Sequence, residues 1–224
     1  MIAKWALSAT DSGDPNSIAS RLRAKRFVKF AQILEGAAQP VRILDVGGTP
    51  AFWAAHRAAL RVDAHITLLN RVFANHGGLE DVRCVVGDAR RLDMFADAQF
   101  DMCISNSVIE HLGVASDQRR MADEIRRVSR GYFVQTPNKY FPFEPHFLVP
   151  GWQFAPISVR AWLLQWRDWG WIKRAENPKM ARETVESIRL LSARDLAALF
   201  PDALIYREKI GPFTKSVTAW RAIG

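Results

Sequence analysis

The sequence predicts an α/β protein: a mostly parallel seven-stranded sheet covered by helices on both faces, with an antiparallel strand pair at its C-terminal end. Three observations predict it. Short β-rich apolar runs alternate with polar or helical segments through most of the chain, which is the pattern of strand–crossover–strand units. The first run ends at Gly47-Gly48-Thr49-Pro50 and leads into a helix-compatible segment, giving strand, glycine turn and helix in succession. The last two runs are joined only by Gly211-Pro212, a connection too short for a parallel crossover.

The elements follow in order. After a polar leader, residues 18–35 carry Phe27, Phe30, Ala31 and Leu34 at helical spacing, with Arg21, Arg23, Lys25 and Lys29 largely off that stripe, so an amphipathic helix is expected. Leader and helix occupy residues 1–36 of a single domain. Strands are expected at 41–46, 66–69, 82–86, 100–105 and 132–135, and the terminal pair at 203–210 and 215–222. Helices are expected at 51–60 and around 118–129. Residues 137–190, between the fifth strand and the terminal pair, read as an insertion, and half of the chain's aromatic residues lie between Tyr132 and Trp171. Within it, Trp162, Trp166 and Trp169 recur at four- and three-residue spacing and are expected to line one face of a helix spanning 158–169. The stripe has two readings: core packing against the sheet, or a cap over a ligand.

With 224 residues, 49% of them hydrophobic and 24% charged, the chain is large enough for one sizeable core and has the balance of a globular protein. Its net charge of +8 favours anionic partners, whether nucleic acid, phosphorylated metabolites or a membrane surface. The apolar stretch near the start is too short for a secretory signal, and the most apolar later stretch is broken by Pro150, Gly151, Pro156 and Arg160; no membrane span and a soluble, cytoplasmic protein are expected. Cys84 and Cys103 sit inside strand-like runs, where cysteine serves as a small hydrophobe and no disulfide is expected.

In an open α/β sheet, ligands bind beyond the carboxyl ends of the strands where the strand order reverses. After the first strand, Gly47 and Gly48 let a ligand approach the backbone, and the next helix would offer free N–H groups to an anion. The spacing G-x-G-x-x-G is absent, which weakens a dinucleotide-dependent dehydrogenase reading. Taken singly, Asp45 and Asp88 are equally well explained as turn residues, and Glu110-His111 as the start of a helix.

Taken together, Ile43-Leu44-Asp45-Val46-Gly47-Gly48, Val86-Gly87-Asp88-Ala89 and Phe100 to Leu112, which contains Ser105-Asn106-Ser107-Val108-Ile109-Glu110-His111-Leu112, resemble the motifs of the class I S-adenosylmethionine-dependent methyltransferases. The likeness spans about residues 41–138 and is closest to the broad group acting on small molecules and lipids. It implies a Rossmann-like fold and S-adenosylmethionine as cofactor. Asp45 and Gly47 would meet the methionine end of the cofactor, Asp88 with the Ala89 backbone the adenine, and Gly48 and Asn106 are expected among the cofactor-binding residues. The family's acidic residue after the second strand is replaced by Asn70, whose amide oxygen can still accept a ribose hydroxyl.

Methyl transfer from a sulfonium needs an aligned acceptor and, for a hydroxyl, a proton acceptor. His111 follows the fourth strand and His146 the fifth, so both are candidates. His56, His65 and His76 lack such placement, and no histidine has metal-ligand spacing to a cysteine or carboxylate; no metal is expected. The proline-rich segment 136–147 cannot be helical and either drapes over the acceptor or completes the core. Ser105-Asn106-Ser107-Val108 is unlike the Asn-Pro-Pro-Tyr type of motif used on planar amino nitrogens, so the expected acceptor is a hydroxyl, carboxylate or carbon of a small molecule or lipid, with peripheral membrane contact a further expectation. A methyltransferase tracking RNA or DNA, or a non-catalytic nucleotide-binding relative, remains an alternative.

Overall fold

The computed structural model describes residues 14, 16–73 and 78–223. The leader up to residue 13 and His76 lie outside them. The chain forms one seven-stranded sheet: β1 (Val41–Val46), β2 (Ala64–Asn70), β3 (Val82–Val86), β4 (Phe100–Asn106), β5 (Ser129–Pro137), β6 (Leu204–Ile210) and β7 (Phe213–Arg221). Their order is β3-β2-β1-β4-β5-β7-β6. The strands β1 to β5 pair in parallel, and β7 pairs antiparallel with both β5 and β6. Chain direction across the sheet reverses between β1 and β4, so the crevice that binds ligands in such sheets opens at the carboxyl ends of those two strands.

The central strands are covered on both faces, which is why they read as continuous apolar runs. On one face, Phe27, Phe30 and Leu34 of α1 (Ile18–Ile33 and the turn after it) pack on Ile43, Met102, Ile104 and Phe133. Trp53 of α2 (Pro50–His56) completes that layer. On the other, Met121, Ala122, Ile125 and Val128 of α3 (Ala115–Val128) pack on Leu44, Cys103, Tyr132 and Val134. Asp101 stays out of the site: Arg42 donates to it from its backbone N–H (2.9 Å) and its guanidinium (3.1 and 2.8 Å), tying β4 to β1.

The insertion carries its own small core of Phe147, Trp152, Ala161, Leu164, Ala181 and Val185, built by α4 (Ile157–Leu164) against α5 (Pro178–Glu186). Here the tryptophan expectation fails. The helix ends at Leu164, and it turns Ala161 and Leu164 inward while Trp162 and Trp166 are 56% and 67% exposed. Trp169 sits in a separate turn and packs on Trp152 at 5.3 Å. The three rings therefore share no helix face. The helix α6 (Ala193–Leu199) then leads into β6, its N-terminus closed by a reciprocal Ser192–Asp195 capping box.

Candidate active site

The chain leaves β4 through two consecutive residues that face two adjoining cavities. Asn106 lines the larger, of about 750 Å³, together with Asp45, Gly47, Gly48, Thr49, Ile104 and, from the overlying helices, Arg21, Arg23 and His56. That volume lies in the range of about 300–1,000 Å³ that holds small ligands. Ser107 lines the smaller, of about 340 Å³, with Glu110, Gln135, Phe141, Phe143, His146, Arg23, Arg26 and Lys215. Arg23 belongs to both walls. The switch of side at Asn106 and Ser107 is made by backbone: Ser107 adopts φ +59°, a conformation that costs a non-glycine residue about 1–3 kcal/mol. Gln135 holds it there, accepting from the Ser107 N–H at 3.0 Å and meeting its hydroxyl at 3.1 Å.

In the larger cavity, Gly47 has φ +78°, and a Cβ there would lie 2.4 Å from Val108 Cγ2. A Cβ on Gly48 would lie 2.0 Å from Asp45 Oδ2, so the paired glycines are what lets the acid and the turn coexist. Trp53 Nε1–H donates to Asp45 Oδ2 at 2.7 Å. Burial raises the Asp45 pKa to about 7 even though that hydrogen bond pulls the other way. The helix N-terminus offers less to an anion than the sequence led us to expect: Pro50 has no N–H, and that of Phe52 is taken by Thr49 Oγ1 at 3.2 Å.

The remaining expected cofactor residues stand beside this cavity rather than in its wall. Gly47 N–H bonds to Leu69 O at 2.8 Å and Gly87 N–H to Asn70 O at 2.9 Å, so the ends of β1, β2 and β3 form one continuous row. Asn70 Nδ2 donates to Gly48 O at 2.8 Å, which leaves its amide oxygen to accept. Asp88, next in the row before Ala89, is clasped by Arg90 and held at a pKa of about 2, chiefly by that hydrogen bond. Arg90 in turn pairs with Asp117 of α3.

Glu110 and His146 of the smaller cavity's wall meet His111, which lies outside that lining. His146 Nδ1 lies 2.6 Å from Glu144 Oε1, and its Nε2 lies 3.3 Å from His111 Nε2. Burial disfavours the His146 cation, but the hydrogen bond and charge of Glu144, with the charge of Glu110, outweigh it and raise the pKa. His111 is lowered to about 4, by desolvation first and the facing His146 second. Glu110 is fully buried and raised to about 7 by that burial; Thr136 Oγ1 donates to its Oε2 at 2.9 Å, and its Oε1 has no partner. The expectation of no metal set came from spacing along the chain; the fold brings donors of Glu110, His111 and His146 within 4.8 Å of one another.

Comparison with known proteins bears on this arrangement. Residues 44–134 match the family described as a methyltransferase domain. That stretch contains the glycine turn and most of the strand ends described above, and it is similar to a methyltransferase domain. A 1,6-didemethyltoxoflavin-N1-methyltransferase from Burkholderia thailandensis, solved with bound 1,6-didemethyltoxoflavin and S-adenosylhomocysteine, has the same fold: TM-score 0.56, 13% identity, covering 98% of this chain and 85% of that one. A SAM-dependent methyltransferase from Aquifex aeolicus has TM-score 0.50 and 12% identity over 90% and 89% of the two chains. Among curated proteins, the uncharacterized protein Rv1509 of Mycobacterium tuberculosis is 27% identical over 82 residues. The match covers 37% of this chain and 28% of that relative's length.

Several residues that shape the two cavities escaped the sequence reading. Arg23, Arg26 and Lys215 gather at the smaller cavity from α1 and β7, where Glu208 bonds to Arg26 at 2.7 Å. Burial, then the neighbouring Arg26, lowers the pKa of both Arg23 and Lys215, and Arg23 Nε is buried without a hydrogen-bond partner. His56, set aside for lack of placement, lies on the wall of the larger cavity, stacked on Phe52 at 4.6 Å between ring centroids. The one local signal was its position four residues after Phe52 on the helix following the glycine turn. Among the described residues no helix is long and apolar enough to cross a membrane.

Proposed function

We propose that this chain methylates an oxygen or carbon atom of a small, anionic acceptor, with S-adenosylmethionine in the larger cavity and the acceptor in the smaller. The carrying observation is that the two cavities adjoin across Asn106 and Ser107 and share Arg23. The residues present fit the cofactor: the buried Asp45 suits the ammonium of its methionine end, and Asn70 and Asp88 extend along the strand ends toward ribose and adenine. S-adenosylmethionine supplies an electrophilic methyl group on a sulfonium.

The protein's own residues align the acceptor and handle its proton. Arg23, Arg26 and Lys215 attract the anion into a cavity too small for more than the reacting part of a molecule. The hydroxyl proton of the acceptor would pass to Nε2 of His146, whose Nδ1–H is oriented by Glu144. His111 faces the same nitrogen and shares that proton. Residues 137–190 serve as a cap: Phe141 and Phe143 close the acceptor side while Trp162, Trp166 and Phe154 stand exposed beyond it. Those exposed rings favour one further reading, a lipid acceptor presented at an anionic membrane; co-sedimentation with anionic vesicles, lost in Trp162→Ala/Trp166→Ala, tests it.

The main test is calorimetry with S-adenosylmethionine, followed by mass spectrometry of fractionated extract incubated with protein and labelled cofactor. The expected result is saturable heat and a labelled small product whose formation falls about 100-fold in His146→Ala with cofactor affinity intact. A folded wild-type protein that gives no heat would overturn the reading, and heat without any product would leave a non-catalytic binder.

A further inference from the structure

We propose that Glu110, His111 and His146 form a binding site for a divalent transition ion of the zinc type. Four observations converge on it. The two Nε2 atoms face each other at 3.3 Å, a contact that one proton can bridge. That separation matches the edge of about 3.3–3.4 Å between two imidazole nitrogens on a tetrahedral ion at about 2.0–2.1 Å. Glu144 fixes the tautomer. It is buried, accepts from the backbone N–H groups of His146 and Phe147 at 2.8 and 2.6 Å, and meets His146 Nδ1 at 2.6 Å, so the Nε2 lone pair points at His111. A carboxylate behind a histidine is the usual outer support of a metal-bound imidazole.

The third donor is the fully buried Glu110, whose Oε1 has no hydrogen-bond partner among the described residues. A buried carboxylate oxygen without a partner is costly unless something cationic meets it. All three donors lie within 4.8 Å of one another, so closing onto one ion needs a movement of at most about 1.5 Å at the widest pair. Glu110 and Glu144 bring two buried carboxylates, matching a divalent charge. Imidazole donors select zinc-like ions over magnesium. Two imidazoles and one carboxylate leave a fourth position, and because Glu110 and His146 line the smaller cavity, that position opens where a hydroxyl or carboxylate oxygen of the acceptor would sit. The ion takes the place of the proton that the two rings otherwise share.

Binding of the ion does not depend on methyl transfer, so the test reads binding alone. Full-length protein stripped with a chelator is titrated with Zn2+ by calorimetry, and with Co2+ followed by its visible absorption. One equivalent should bind, with Mg2+ failing to compete. His111→Ala and Glu110→Gln should each weaken binding at least about 10-fold, and Glu144→Gln, which touches no ion, about 10–100-fold. The exposed His65→Ala should change nothing. His111 is exposed, so its variant keeps the test valid if His146→Ala fails to fold. Absence of zinc heat, or binding unchanged in the His111→Ala/His146→Ala double variant, would overturn the site. Zinc heat without S-adenosylmethionine heat would leave the site standing and remove the proposed function, and the converse would do the reverse.

Discussion

Cofactor affinity should rise with pH through neutrality, and Asp45 should be the reason. Its carboxyl is buried beside the glycine turn and its pKa is raised to about 7. Only the ionised form pairs with the ammonium of the cofactor's methionine end. An acid with a pKa of about 7 is roughly one-tenth ionised at pH 6 and nine-tenths at pH 8. The apparent dissociation constant should therefore fall about tenfold between these values, equivalent to about 1.4 kcal/mol, and binding below pH 7 should release a proton. The sign is fixed by the direction of the shift: a carboxyl at its ordinary value would be ionised throughout and would give no slope. Asp45→Asn keeps the shape and an acceptor for Trp53 Nε1–H, so it should flatten the profile while binding about tenfold more weakly at pH 8. Calorimetry across pH 6–8, repeated in buffers of different ionisation enthalpy, counts the proton directly. Equal slopes in wild type and Asp45→Asn would refute the reasoning.

Three further outcomes are expected. Glu208→Gln should destabilise the fold by about 3–5 kcal/mol in chemical denaturation, because it strands the buried Arg26, whereas Lys173→Ala, which breaks a pair exposed on both sides, should cost less than about 1 kcal/mol; similar losses would contradict the buried-pair account. Gly170→Ala places a Cβ 2.5 Å from His146 O and 2.6 Å from Phe147 C at φ +56°, so it should displace the His146 loop and lower turnover at least tenfold while S-adenosylmethionine still binds; weakened cofactor binding would instead mean that the two cavities are not separable. In hydrogen exchange, residues 141–179 should open more readily than β1 and become protected only when cofactor and acceptor are both present, and acceptor-independent protection of the insertion would count against a cap.

The sheet was legible because each strand is a local apolar run whose ends are marked by glycine, proline or a charge. β1 and β3 fall at the expected residues, and the others extend beyond the expected runs by one to three residues at an end, except that β6 starts one residue later and β7 is displaced toward the N-terminus. Helical periodicity, by contrast, does not say which face is buried. Trp162, Trp166 and Trp169 have the spacing of a buried stripe, yet α4 ends at Leu164 and turns Ala161 and Leu164 toward α5, which leaves Trp162 and Trp166 outside. The site divides along the same line. Asp45, Gly47, Gly48 and Asn106 are adjacent to strand ends, so backbone geometry puts them together and the sequence displays them. The smaller cavity has no such local origin. Arg23 and Arg26 come from α1, Ser107 and Glu110 from the exit of β4, Phe141 and His146 from the loop after β5, and Lys215 from β7. Glu144 escaped notice as well, because its role is to orient a histidine rather than to form a motif. A cavity assembled from four distant segments around a fixed sheet can be rebuilt one segment at a time, so acceptor preference should be alterable through residues 137–190, which contribute nothing to the wall of the larger cavity.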